Sequence, residues 1–64
     1  MNVQFTENNP KVLAIFETTL QLVRENGFHG TAMSKIASDA DVAIGTIYHY
    51  FPSKDDLIIS LFQY

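Results

Sequence analysis

Residues 45–57 read GTIYHYFPSKDDL. Tyr48, His49, Tyr50 and Phe51 stand side by side, and Pro52 follows them. A proline pushes the residue before it out of the helical region, so a helix containing Tyr48 stops at about Phe51. At about 100° per residue, Ile47, Tyr50 and Phe51 fall together and belong to a core. Gly45, Tyr48 and His49 fall on the opposite side, with Thr46 at the flank. The aromatic cluster therefore divides: two rings serve the core, while Tyr48 and His49 are displayed.

Downstream, Ser53 is placed to cap a fourth helix, and Asp56 three positions later resembles the second half of a capping box. Asp55 and Asp56 suit the positive end of a helix dipole. That helix is apolar nearly all round, through Leu57, Ile58, Ile59, Leu61, Phe62 and Tyr64. Upstream lies a short second helix. Its apolar face carries Met33, Ile36, Ala37 and Ala40, and its polar face carries Ser34, Lys35, Ser38 and Asp39. Thr31 is expected to cap it. The pattern breaks at Asp41 and restarts at Ile44.

The first helix is expected to start at Pro10, with Asn9 as its cap. Val12, Ile15, Phe16, Thr19, Leu20 and Val23 recur at helical spacing, and Leu13 and Leu22 widen the stripe. Gly27 should end this helix in the left-handed conformation, with Phe28 folding back on Val23. Residues 1–9 read as a mobile arm. No segment alternates with the period of a strand. The fold class is all-α: four helices with short connections, in one domain.

Composition narrows the function. There is no cysteine, hence no disulfide framework and no cysteine zinc site. The N-terminus has no basic start followed by an apolar run, and no stretch approaches the roughly 20 apolar residues of a membrane span. A cytoplasmic protein without membrane contact is the expectation. No nucleophile–base pair, metal set or phosphate loop is visible, so neither an enzyme nor a cofactor or metal is expected. His29 reads as a loop residue. Seven acids against four Lys and Arg give a net charge of -3, an unusual balance for a nucleic-acid partner.

A short helix, a tight turn and a second short helix with a displayed polar-aromatic face form a helix-turn-helix. Its second helix enters the DNA major groove N-terminus first. Gly45 lets the backbone come close to base edges, and the Thr46 methyl suits a thymine methyl. Tyr48 and His49 can donate to phosphates, as can the Ser53 and Thr31 hydroxyls. Lys54, read as displayed at the start of the fourth helix, adds a cation beside free N–H groups. Phosphate contacts of this kind need few basic residues, which answers the acidic balance in part. A helical protein-interaction module that uses the apolar fourth helix remains the alternative. Steep weakening with salt would mark DNA binding, and an apolar interface would lack it.

The segment GFHGTAMSKIASDADVAIGTIYHYFPSKDDL, residues 27–57, resembles the N-terminal DNA-binding domain of the TetR family of transcriptional repressors. The likeness covers about residues 10–62. It implies a three-helix, homeodomain-like helix-turn-helix domain over 10–56, with the motif at 32–51 and the recognition helix at 43–50. A fourth helix, 54–64, would lead toward a domain that binds a small-molecule inducer and forms a homodimer. The DNA-contacting positions it implies are Met33, Ser34, Ile44, Gly45, Thr46, Tyr48, His49 and Lys54. The implied partner is a palindromic double-stranded operator, and the implied function is a repressor released by its ligand. Three positions depart from the family pattern. Asp41 stands where glycine is favoured in the turn, Ala43 where serine caps the recognition helix, and Ile44 where a basic or polar residue often faces DNA.

Overall fold

The computed structural model describes residues 9–63; the arm reading of residues 1–8 and the placement of Tyr64 lie outside them. Four helices are described: α1 Pro10–Asn26, α2 Met33–Ala40, α3 Ile44–Tyr50 and α4 Lys54–Gln63. No strand occurs among the described residues.

Helix α1 begins as its sequence dictates. The Asn9 side chain accepts the Val12 N–H at 3.3 Å, and Pro10 occupies the first turn. Asn9 is thus a half-buried cap, although the arm was expected to include it. Its amide also donates to the Tyr50 hydroxyl at 2.8 Å, which ties the start of α1 to the end of α3. The buried stripe of α1 is Val12, Ile15, Phe16, Thr19 and Leu22. Leu20, expected on that stripe, is 40% exposed. Thr19 is buried without loss because its hydroxyl donates to the Ile15 carbonyl at 2.6 Å.

Gly27 ends α1 with a positive φ, as expected, but the conformation is not left-handed helical. Its φ of 78° and ψ of 168° lie in a region open essentially to glycine alone. The chain leaves the helix extended and turns at once. Thr31 was expected to cap α2 and does not. It is buried, and its hydroxyl points back to the Gly27 carbonyl at 2.8 Å. Ala32 takes the cap position with no side-chain hydrogen bond. Gly30 is required by space, since a Cβ there would collide with the Asn26 carbonyl oxygen.

The turn between α2 and α3 closes on Asp41, left-handed at φ 59° and ψ 45°. The Val42 N–H reaches the Ala37 carbonyl at 3.0 Å and the Asp41 N–H the Ser38 carbonyl at 3.2 Å. These two bonds make a Schellman motif, with Val42 folded against the core. Aspartate tolerates this conformation where most residues would not.

One core gathers all four helices. Val12, Ile15, Phe16 and Leu22 meet Met33, Ile36 and Ala37, then Ile47, Phe51 and Leu57. The Phe16 and Phe51 ring centroids are 5.5 Å apart in a tilted pair. Helix α4 docks by Leu57 and, in part, by Leu61. Ile59 and Phe62 stay exposed, Phe62 at 86%. The nearly continuous apolar surface of α4 thus exceeds what a three-helix core can cover.

Candidate nucleic-acid interface

Helix α3 is amphipathic in the sense its sequence predicts. Ile47 is fully buried, Tyr50 half-buried against the core, and Phe51 buried just past the helix end. On the other side, Ile44 is 43% and Tyr48 is 47% exposed, one turn apart. Gly45 and His49 form a second exposed pair at the same spacing, and Thr46 is half-buried at the flank. The His49 ring stands edge-on to Tyr50 with centroids 5.0 Å apart. Ala43 precedes α3 without a side-chain cap, as its methyl group requires.

A shallow cleft brings three parts of the chain together beside this face. Ala32, Met33 and Ser34 open α2, Ile44 and Tyr48 come from α3, and Pro52, Ser53 and Lys54 lead into α4. Of the eight residues expected to contact DNA, Met33, Ser34, Ile44, Tyr48 and Lys54 line this cleft. Gly45, Thr46 and His49 lie on the same short helix outside its lining. The first N–H groups of α2 lack intrahelical partners, and no side chain caps them.

Met33 lies on the buried face its spacing predicts, which narrows the contact the resemblance implies for it, and three other side chains differ from their expected placement. Met33 is buried in the core, so what it can offer a partner at the surface is its backbone. The buried Thr31 hydroxyl is used within the chain, so it is no free donor. Ser53 does cap α4, accepting the Asp56 N–H at 3.1 Å, but its own hydrogen goes to the Asp56 carboxylate at 3.0 Å. Lys54 is half-buried rather than displayed. Its Nζ donates to the Phe28 carbonyl at 2.8 Å and to the Thr31 carbonyl at 2.9 Å, and sits 4.4 Å from the Phe28 ring centroid.

Reading along the sequence could not find these last contacts. Phe28 and Thr31 lie 26 and 23 residues from Lys54, beyond any local pattern. Phe28 lies under Lys54 and edge-on to His29, with centroids 5.1 Å apart. Lys35 pairs with Asp39 at 3.3 Å along the exposed side of α2. Among the described residues no group of three or more histidines and acids is placed to hold a metal ion. None of the helices described is long and apolar enough to cross a membrane.

The Asp41 turn, the buried Ile47 and the exposed Tyr48 and His49 define a helix-turn-helix domain. The family model for bacterial regulatory proteins of the tetR family matches residues 15–61, and the chain belongs to that family. It is 46% identical over 57 residues to the fatty acid metabolism regulator protein of Bacillus subtilis (strain 168), covering 89% of this chain and 29% of the relative. It is also 46% identical over 46 residues to the HTH-type transcriptional repressor KstR of Rhodococcus jostii (strain RHA1), covering 72% of this chain and 22% of that protein. A crystal structure assigned to the tetR family of transcription regulators, from Shewanella sp. PV-4, superposes with a TM-score of 0.80 at 54% identity. That match covers 81% of this chain and 28% of the solved one. The chain thus spans less than a third of the length of these relatives. Each relative is named as a regulator and none for a reaction, which favours the regulator over both an enzyme and an interaction module.

Proposed function

We propose that this chain is the DNA-binding part of a transcriptional regulator, with α3 as the recognition helix in the major groove. The observation that carries the reading is the exposed face of α3. Ile44, Gly45, Tyr48 and His49 have no part in the core, yet Ile47 and Phe51 fix their helix rigidly to it. A surface of this kind is positioned by the fold but not used by it. Thr46, Ile44 and the open backbone at Gly45 face base edges, and apolar contact with thymine methyls takes the place of some hydrogen bonding. Tyr48 and His49 donate to phosphates, and Ser34 with the Met33 backbone N–H adds a contact from the start of α2. Lys54 lies at the rim of the same face.

The regulator acts as a homodimer on a palindromic operator, since two recognition helices about 34–36 Å apart meet successive major grooves. A small-molecule inducer that changes this spacing releases the DNA, so the protein represses until its ligand arrives. Dimerisation and inducer binding belong to chain outside the helix-turn-helix; the short span relative to the family's longer members supports this division. The site of action is the cytoplasm, where a bacterial chromosome lies.

The test is selection from a pool of random duplexes, followed by titration of Tyr48→Phe against the parent. Loss of one hydrogen bond to a charged phosphate should lower affinity about tenfold, or about 1.4 kcal/mol, with the melting temperature unchanged. A Tyr48→Phe variant that binds the selected duplex as the parent does would show that this face is not the interface.

A further inference from the structure

The Lys54 ammonium carries three hydrogens, and two of them are directed at backbone carbonyls of the loop that joins α1 to α2. The Phe28 ring lies under the same group at 4.4 Å, close enough for a cation–π contact. This loop has few other constraints. The Thr31 hydroxyl holds the Gly27 carbonyl, and the Thr31 N–H reaches the Phe28 carbonyl at 3.3 Å. Those bonds close the loop on itself; the buried Thr31 side chain seats one end of it, while among the described hydrogen bonds of the loop only those from Lys54 reach it from α4. Ala32 adds no side-chain cap, so the first turn of α2 is held to the core by the Met33 side chain but by no side-chain hydrogen bond at its start. Yet Ala32, Met33 and Ser34 form one wall of the cleft whose other walls are α3 and the start of α4.

We infer that Lys54 is a positioning residue: it clamps the Phe28–Thr31 loop to the start of α4 and so sets where the first turn of α2 stands beside the recognition helix. The inference rests on the DNA-binding reading of that face. A lysine beside a helix N-terminus on such a face would ordinarily be assigned to a phosphate, where its charge displaces a counterion. Here the ammonium is already held by two carbonyls and a ring within the chain. Its effect on DNA affinity therefore runs through the loop, and it adds little to the salt dependence.

Two readouts separate these roles in the 64-residue chain. A phosphate contact contributes about one unit to the slope of log affinity against log salt, whereas a positioning residue contributes none. Lys54→Met is expected to weaken binding to a duplex selected by the parent about tenfold at every salt concentration, with the slope unchanged. Amide exchange at Thr31 and Lys35 should quicken at least tenfold, while the core amide of Phe16 keeps its rate. Lys54→Gln retains amide hydrogens for the carbonyls but no charge, so it should recover most of the lost affinity. It also serves as the readout where Lys54→Met does not fold.

A slope reduced by about one unit with exchange unchanged would overturn the inference in favour of a phosphate contact. Unaltered affinity in Lys54→Met, or a Lys54→Gln variant as impaired as Lys54→Met, would overturn it too. A parent that enriches no duplex at all would reject the DNA-binding reading and the positioning role with it, while exchange in Lys54→Met would still report whether the clamp holds the loop.

Discussion

Gly45 has no use inside the molecule. It is exposed, its φ is not positive, and a Cβ built on it would meet no atom within 4 Å. Glycine within a helix destabilises it by up to about 1 kcal/mol relative to alanine. Neither packing nor backbone conformation explains the residue, but the close approach of a DNA backbone or base edge does. Gly45→Ala should therefore raise stability by about 0.5–1 kcal/mol and at the same time weaken binding to selected DNA. Thermal melts and DNA titrations of the same preparation would check this; a stabilised variant with parental affinity would remove Gly45 from the interface. The exposure of Tyr48, His49 and Gly45 was legible in the sequence because a helix with one buried side fixes the direction of its other side. Leu20 was misread because it lies roughly 100° from the centre of the buried stripe of α1, near enough to pass for its edge. Thr31 was misread because its hydroxyl has two ways to satisfy itself, forward onto a helix N-terminus or back onto a loop carbonyl. Local pattern does not choose between them.

At the scale of the element, α3 is too short to persist by its own hydrogen bonds. It has seven residues, no side-chain cap at Ala43 and a stop at Pro52. Ile47 and Phe51 hold it instead, with the Phe51 ring tilted 5.5 Å from Phe16. Phe51→Ala should cost about 3–5 kcal/mol, comparable to the roughly 3–5 kcal/mol that a core of this size supplies. The expected result is loss of cooperative unfolding at 25 °C, read by circular dichroism; a well-folded variant would mean that α3 is held by something other than its aromatic end. The element boundaries were legible wherever one residue type forces them, as at Asn9 with Pro10, Asp41 and Pro52. The loop between α1 and α2 was not. Its shape depends on the positive φ of Gly27, on the space that Gly30 leaves for the Asn26 carbonyl, and on Lys54 arriving from α4. The positive φ of Gly27 was expected but its extended ψ was not, the Gly30 approach is a backbone contact, and Lys54 reaches the loop from 23 and 26 residues away.

Across the whole molecule, the acidic balance sets how DNA can be bound. The chain has four Lys and Arg in all: Lys11, Arg24, Lys35 and Lys54. Lys35 is paired with Asp39, and Lys54 is bonded to two carbonyls. Each phosphate neutralised contributes about 0.9 to the slope of log affinity against log salt, so four cations set a limit of about 3.6 in magnitude (4 × 0.9) for each chain bound. With two of them engaged inside the chain, a slope of about 2 is expected. Uncharged donors at Tyr48, Ser34 and the backbone N–H groups of α2 hold the DNA without releasing counterions, so they add affinity but no slope. A domain that relied on six to ten basic contacts would lose roughly 10³–10⁵ in affinity between 50 and 200 mM salt. This one should lose about 16-fold over the same interval, since a fourfold rise in salt enters as its square. Anisotropy titrations of the 64-residue chain at those two concentrations measure the ratio directly. A loss above about 150-fold would exceed what four cations can release, and would mean that DNA meets a positive surface this fold does not contain.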